Sequence, residues 1–191
     1  TRHGAVIAER PAERRAFGLR TVLIQRGSAP YGAALMAMRA RSVDEFSRAM
    51  SHWIAPPVNQ TYADVRGDIL WITGGLTPVR RNWDGLLPVP GDGRYEWEGF
   101  LAPSDLPSDR NPLSGVVSSA NAMNLPPGWD HARHPMGAEW DDPSRLRRIH
   151  EVLSQPRAFS LADSLSLQTD VLSIPARRLL AVLRRTLLLD S

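Results

Sequence analysis

Hydrophobic and polar positions change their rhythm along the chain. Near the start, residues 3–9 and 19–25 are rich enough in β-branched and apolar side chains to predict two strands, with the charged run 10–15 as their connection. Apolar positions then gather at 32–39 and predict a short helix. Ser42 with Glu45 three residues on predicts the start of a second helix, because a hydroxyl and a carboxylate at that spacing can satisfy each other's orphan amides. Phe46, Met50 and Trp53 fall on one face of it. Residues 58–65 and 68–73 then predict a hairpin about Arg66-Gly67, where glycine takes the positive φ of a tight turn at little cost.

Periodicity is lost from 74 to 111, a stretch rich in Pro, Gly and Asp that also carries Trp83, Tyr95 and Trp97. Large aromatics in a stretch this long predict an ordered covering loop rather than a solvated linker. Residues 116–119 predict a short strand that delivers Asn121 at its end. Beyond it the pattern becomes helical. Pro143 suits the first turn of a helix reaching about Gln155, Ser160 with Asp163 opens another, and Pro175 opens a third reaching Leu189. A sheet portion followed by a helical portion gives an α+β fold. Residues 1–191 read as a single partial domain, sheet-rich over 1–122 and helical over 140–191.

Composition narrows the chemistry. With no cysteine there are no disulfides, thiolate metal sites or thiol nucleophiles. Lysine is absent too, so all 23 basic side chains are arginine, which accounts for a pI near 10.1 at a net charge of only +3. The arginines are scattered in pairs rather than gathered in one stripe, which argues against nucleic acid as a partner. No apolar stretch approaches the length of a membrane span, and no signal-peptide pattern is present. In the last helix Arg177, Arg178, Arg184 and Arg185 stand opposite Leu179, Leu180, Leu183 and Leu187. Such a stripe predicts a helix packed on protein, with a basic interaction module as the alternative. His131 and His134 have metal-like spacing but no helix to present them and no carboxylate beside them, so they read as loop histidines rather than zinc ligands. No Ser/His/Asp arrangement is evident among the histidines.

Four blocks stand in order: Tyr62-Ala63-Asp64-Val65-Arg66-Gly67-Asp68-Ile69, then Leu87-Pro88-Val89-Pro90-Gly91-Asp92-Gly93, then Glu96-Trp97-Glu98-Gly99, then Asn111-Pro112-Leu113-Ser114-Gly115-Val116-Val117-Ser118-Ser119-Ala120-Asn121. With Trp140 and Arg145 downstream, they resemble the large subunit of the penicillin acylase family, of the N-terminal nucleophile hydrolases. The resemblance implies part of a four-layer αββα fold. It also implies an amidohydrolase in which an N-terminal serine attacks a linear amide and its own α-amine acts as base. An α-amine titrates near neutrality and can take the hydroxyl's proton without a histidine. By the same resemblance Asn121 is the side-chain donor of the oxyanion hole and Arg145 lies close to the catalytic centre. Because a positive charge in the first turn of a helix is mildly unfavourable, Arg145 is expected to be buried and partnered, while Arg147 and Arg148 are expected to face solvent.

The resemblance aligns Thr1-Arg2-His3-Gly4 with an internal strand of the family. The nucleophile-bearing segment is therefore expected to precede Thr1, with further sheet and helix after Ser191, and Thr1 is not expected to be a nucleophile. The implied partners are a small-molecule amide, the nucleophile-bearing segment and the small subunit. No cofactor is implied. A calcium ligand of some members falls at His134, a poor donor for that hard cation, so no calcium is expected there. The acyl group stays open among β-lactam side chains, acyl-homoserine lactones and similar N-acyl compounds, and the implied location is the periplasm or outside the cell. The alternative is a catalytically empty relative that binds a ligand or a partner chain.

Overall fold

The computed structural model describes residues 1–27, 30–137 and 139–189, with the backbone alone at 30–31 and 187–189. Antiparallel sheets and helices make an α+β architecture, and the chain forms two compact units. The first comprises Thr1–Asn111 and Leu125–Glu139, the second Pro112–Asn124 and Trp140–Ser191.

In the first unit, strand β1 (Ala5–Arg10) pairs antiparallel with β2 (Arg15–Leu19). The predicted connection 10–15 tightens to a 3₁₀ turn at Pro11–Glu13, closed by Arg14 in the left-handed region at φ 53°. The strand expected at 19–25 is not formed. Only Leu19 is extended within a ladder, and Val22–Ile24 is a 3₁₀ turn whose first amides are capped by the Thr21 hydroxyl, which accepts from the Leu23 amide at 3.3 Å. Leu23 and Ile24 are exposed, and among the described residues no strand lies beside them to make the ladder their β-branching would favour.

The core of this unit lies under a second sheet. Helix α1 (Pro30–Met38) leads to helix α2 (Val43–Met50). Ser42 caps α2 by accepting from the Glu45 amide at 3.2 Å, but Glu45 returns its carboxylate to the Arg41 amide at 2.7 Å, one residue upstream of the expected box. Val43, Phe46 and Met50 recur at helical spacing and bury one stripe of α2. That stripe packs with Leu70, Trp53, Tyr62 and Ile72, and the rings of Phe46 and Tyr62 lie 5.1 Å apart.

Strands β3 (Val58–Ala63), β4 (Ile69–Gly74) and β5 (Ser108–Arg110) form an antiparallel sheet with β4 in the centre. The hairpin strands end earlier than the pattern suggests, because Asp64 organises a longer turn. Its carboxylate accepts from the Arg66 and Asp68 amides at 2.9 and 3.2 Å and from the Tyr62 hydroxyl at 3.0 Å. Gly67 supplies the φ of +89° that the turn needs. Bonding to the Arg66 guanidinium pulls the Asp64 carboxyl down to about 2.

Within residues 75–107 Trp97 meets Phe100 edge-on at 6.0 Å, but the stretch ends in an unforeseen strand. β5 pairs Leu70 with Arg110 and Ile72 with Ser108. Asn111 fastens the ladder, accepting from the Ile69 amide at 2.8 Å and donating to Asp68 at 2.8 Å.

In the second unit, residues 112–124 are irregular, so the strand expected at 116–119 is absent. Side-chain bonds hold this segment where a ladder was expected. Helices α3 (Ser144–Leu153), α4 (Leu161–Gln168) and α5 (Ile174–Leu189) follow. Pro143 stands at the cap of α3 rather than within its first turn. Ser160 and Asp163 form the complete reciprocal box. Arg148, expected in solvent, grips the Asp170 carboxylate with Nε at 3.2 Å and Nη2 at 2.7 Å, and reaches Glu151 at 3.2 Å. Arg177 donates to the same Glu151 at 2.6 Å. Within this chain the leucine face of α5 is exposed at Leu179, Leu180 and Leu183, which leaves open the expectation that other segments of the parent protein cover it, while the side chain of Leu187 lies outside the described residues.

Candidate active site

The second unit brings Asn121 and Arg145 together. Asn121 sits between Ala120 and Ala122, both buried, and takes the left-handed conformation at φ 60°. Asparagine tolerates that region better than most residues. Small buried neighbours fix the backbone while the carboxamide stays at the surface. Its backbone carbonyl accepts from the Asp141 amide at 3.1 Å, which ties the segment to the lead-in of α3.

Arg145 stands in the first turn of α3 and points its Nη2 at two acceptors. One is Asn121 Oδ1 at 3.0 Å, the other Asp141 Oδ2 at 3.1 Å. A guanidinium can only donate, so the carboxamide atom facing it is the oxygen and the amide nitrogen is left to donate elsewhere. Asp141 offsets the charge that the start of a helix disfavours. Arg145 is partnered as expected but not buried: its side chain is 62% exposed, because Asp141 is itself a surface group.

Sequence reading missed a second contact between α3 and the same segment. The Ser118 hydroxyl and His150 Nε2 lie 2.9 Å apart, and Asn124 donates to the Ser118 carbonyl at 3.4 Å. A separation of 32 positions between Ser118 and His150 hides the pair from any local motif. Among the described residues no carboxylate joins it, so it lacks the third member that would orient the imidazole for nucleophilic work. What remains is a clamp: α3 holds the Asn121 segment at Asn121 and at Ser118.

The other sequence candidates lie in the first unit. His134 caps a turn, its amide donating to the Asp130 carbonyl at 2.8 Å and its carbonyl accepting from Trp129 Nε1 at 3.0 Å. The Trp129 and His134 rings lie 5.6 Å apart, tilted by 51°. Among the described residues no three His, Asp or Glu side chains gather as a metal would require. At Thr1 both the α-amine and the hydroxyl donate to the Gly4 carbonyl, at 2.9 and 3.0 Å.

The arrangement can present a neutral amide N–H, held by a cation, to a developing negative charge. Comparison with known proteins gives this geometry its setting. The penicillin amidase family model matches residues 1–191. The chain is 32% identical over 181 residues to the acyl-homoserine lactone acylase QuiP of Pseudomonas putida, covering 94% of this chain and 21% of that protein. It is 31% identical over 174 residues to the penicillin acylase 2 proenzyme of Pseudomonas sp. strain SE83, covering 91% and 22% respectively. Among solved structures it is similar in fold to the thermostable penicillin G acylase of Alcaligenes faecalis, with a TM-score of 0.72 and 24% identity over 85% of this chain and 29% of that one. The chain thus spans about a fifth of the length of these two curated relatives.

Proposed function

The chain belongs to the penicillin amidase family, and from that premise we propose that it is the segment of an amide hydrolase that supplies the side-chain donor of the oxyanion hole. The observation that carries this reading is the bond from Arg145 Nη2 to Asn121 Oδ1 at 3.0 Å. It leaves the Asn121 amide N–H to meet the oxygen that gains charge when the substrate carbonyl becomes tetrahedral. Such a donor is worth most in the transition state, because the charge it serves appears only there. Arg145 fixes the carboxamide's orientation and strengthens the donor by drawing electron density toward its oxygen.

The attacking group in this reading is an N-terminal serine with its own α-amine as base, carried on another segment of the enzyme. The substrate is a small linear N-acyl compound. Relatives named as acyl-homoserine lactone acylases and penicillin acylases mark out that class without fixing the acyl group. Among the described residues no helix is long and apolar enough to cross a membrane. We infer from the family resemblance that the enzyme works in the periplasm or outside the cell.

Intact mass and N-terminal sequencing of every polypeptide in the purified enzyme come first, and a second chain beginning with serine is the expected finding. In that assembly Asn121→Ala should lower kcat about a hundred- to a thousandfold with little change in KM. An unchanged kcat would remove Asn121 from the reaction. The 191 residues alone should hydrolyse no amide, having a donor without its nucleophile.

A further inference from the structure

The first unit contains a cleft of about 440 Å³ that the proposed chemistry does not use. Its lining includes Arg20, Arg80, Trp97, Leu86 and Met136, with Asp84 and Glu139 also at its wall. Two guanidiniums lie against one indole: Arg20 sits 4.7 Å and Arg80 5.7 Å from the Trp97 ring. Arg80 also lies 5.4 Å from the Trp83 ring. Aromatic faces attract cations but do not neutralise them.

The two arginines differ in what answers their charge. Arg20 is paired with Glu96 at 2.9 Å. Arg80 makes no ion pair among the described residues, and its Nε is buried without a hydrogen-bond partner. The neighbouring Trp83 Nε1 is a second buried donor without a partner. Asp84 forms no ion pair with Arg80 among the described residues, and its Oδ1 accepts from the Leu86 amide at 2.9 Å. Burial accordingly pushes the Arg80 guanidinium below its usual value, with Asp84 opposing the shift from a distance.

The backbone is shaped to hold Arg80 there. Gly85 turns at φ +89°, and a Cβ on it would stand 3.1 Å from both Cζ and Nε of Arg80. Those two buried nitrogens face the protein rather than the cleft; what the cleft wall offers is the unpaired Arg80 charge, and an unpaired cation calls for an anion.

We propose that this cleft is a binding site for a small monocarboxylate with a flat apolar body, its carboxylate on Arg80 and its body against Trp97, Leu86 and Met136. The carboxylate supplies acceptors to a planar fork of donors. Apolar walls beside a few fixed polar groups are the ordinary make-up of a small-molecule pocket. This inference goes beyond the acylase reading and does not depend on it. A bare carboxylate, such as a glutamate side chain of another polypeptide, shares the charge chemistry but has no use for the apolar wall.

Titration of the chain with benzoate, acetate and benzamide, followed by tryptophan fluorescence, separates these cases. Benzoate should bind, acetate more weakly, and benzamide, which lacks the charge, at least about tenfold more weakly than benzoate. Arg80→Gln should weaken benzoate by about ten- to a hundredfold, and Arg41→Gln, on the surface elsewhere, should leave it unchanged. Circular dichroism establishes that each variant is folded. If Arg80→Gln does not fold, the benzoate–benzamide difference on the unaltered chain decides alone. Equal binding of benzoate and benzamide, equal binding of benzoate and acetate, or no binding of benzoate would each overturn the proposal.

Discussion

In the first unit, Phe46, Met50 and Leu70 close against β3 and β4, and the side chains that hold the sheet are out of water. In the second, Arg148, Glu151, Asp170 and Arg177 meet in a chain of ion pairs that solvent still reaches. Burial of apolar area is worth roughly 25 cal/mol per Å² in almost any buffer. Exposed ion pairs are individually weak and vary with salt and pH. The candidate oxyanion donor belongs to the second kind of structure. Its geometry is set by charge and hydrogen bonding more than by packing.

Removing the Phe46 ring should test this contrast most severely. Phe46→Ala should destabilise the chain by about 3–5 kcal/mol, measured by denaturant unfolding with tryptophan fluorescence. Ile174 is the buried apolar residue that opens α5, at 4% exposure. Ile174→Ala should cost less, about 2 kcal/mol, the low end for such a change. Equal losses would mean that the second unit has as strong an apolar core as the first.

Acid should separate the units next. Glu151 is held below its usual value by Arg177 first and then Arg148, Asp170 by Arg148, and Asp163 by Arg157. Their folded values are depressed, so their contribution is complete above the unfolded values of 4.5 for Glu and 3.8 for Asp, and is lost as pH falls through the folded ones. In a Trp140→Phe variant, whose remaining tryptophans Trp53, Trp71, Trp83, Trp97 and Trp129 all lie in the first unit, helical ellipticity should therefore fall below about pH 4 before tryptophan fluorescence changes. Coincident transitions would erase the distinction.

The smallest effect belongs to Arg148→Gln. It should lower the thermal midpoint of the helical signal slightly, and the loss should shrink in 1 M salt, about a 3 Å screening length. A loss of the same size at high salt would mean that Arg148 acts through packing.

The sequence made local features visible and long-range ones invisible. Ser160 and Asp163 announce α4 because a capping box is a matter of three residues, and the blocks that end at Asn121 led to the residue that Arg145 holds. Ser42 was legible as a cap, while the choice of Glu45 to turn to the Arg41 amide was not. β5 is Ser-Asp-Arg, with no strand preference of its own, and it exists because the open edge of β4 needs partners. Val22-Leu23-Ile24 has the preference and no edge to join, so it turns. His150 could not have been chosen from its neighbours, since its partner Ser118 comes from the irregular segment before α3.

The fastening of β4 to β5 also bears on how the chain breaks. Residues 75–107 leave and return at adjacent strands, where Thr73 donates to the Pro107 carbonyl and Asn111 to the Ile69 carbonyl, each at 3.0 Å. A trypsin cut at the exposed Arg94 severs the peptide but not that seam. The two fragments should stay together through native chromatography and separate only in denaturant, so this stretch is a place to split the gene and recover the fold by co-expression.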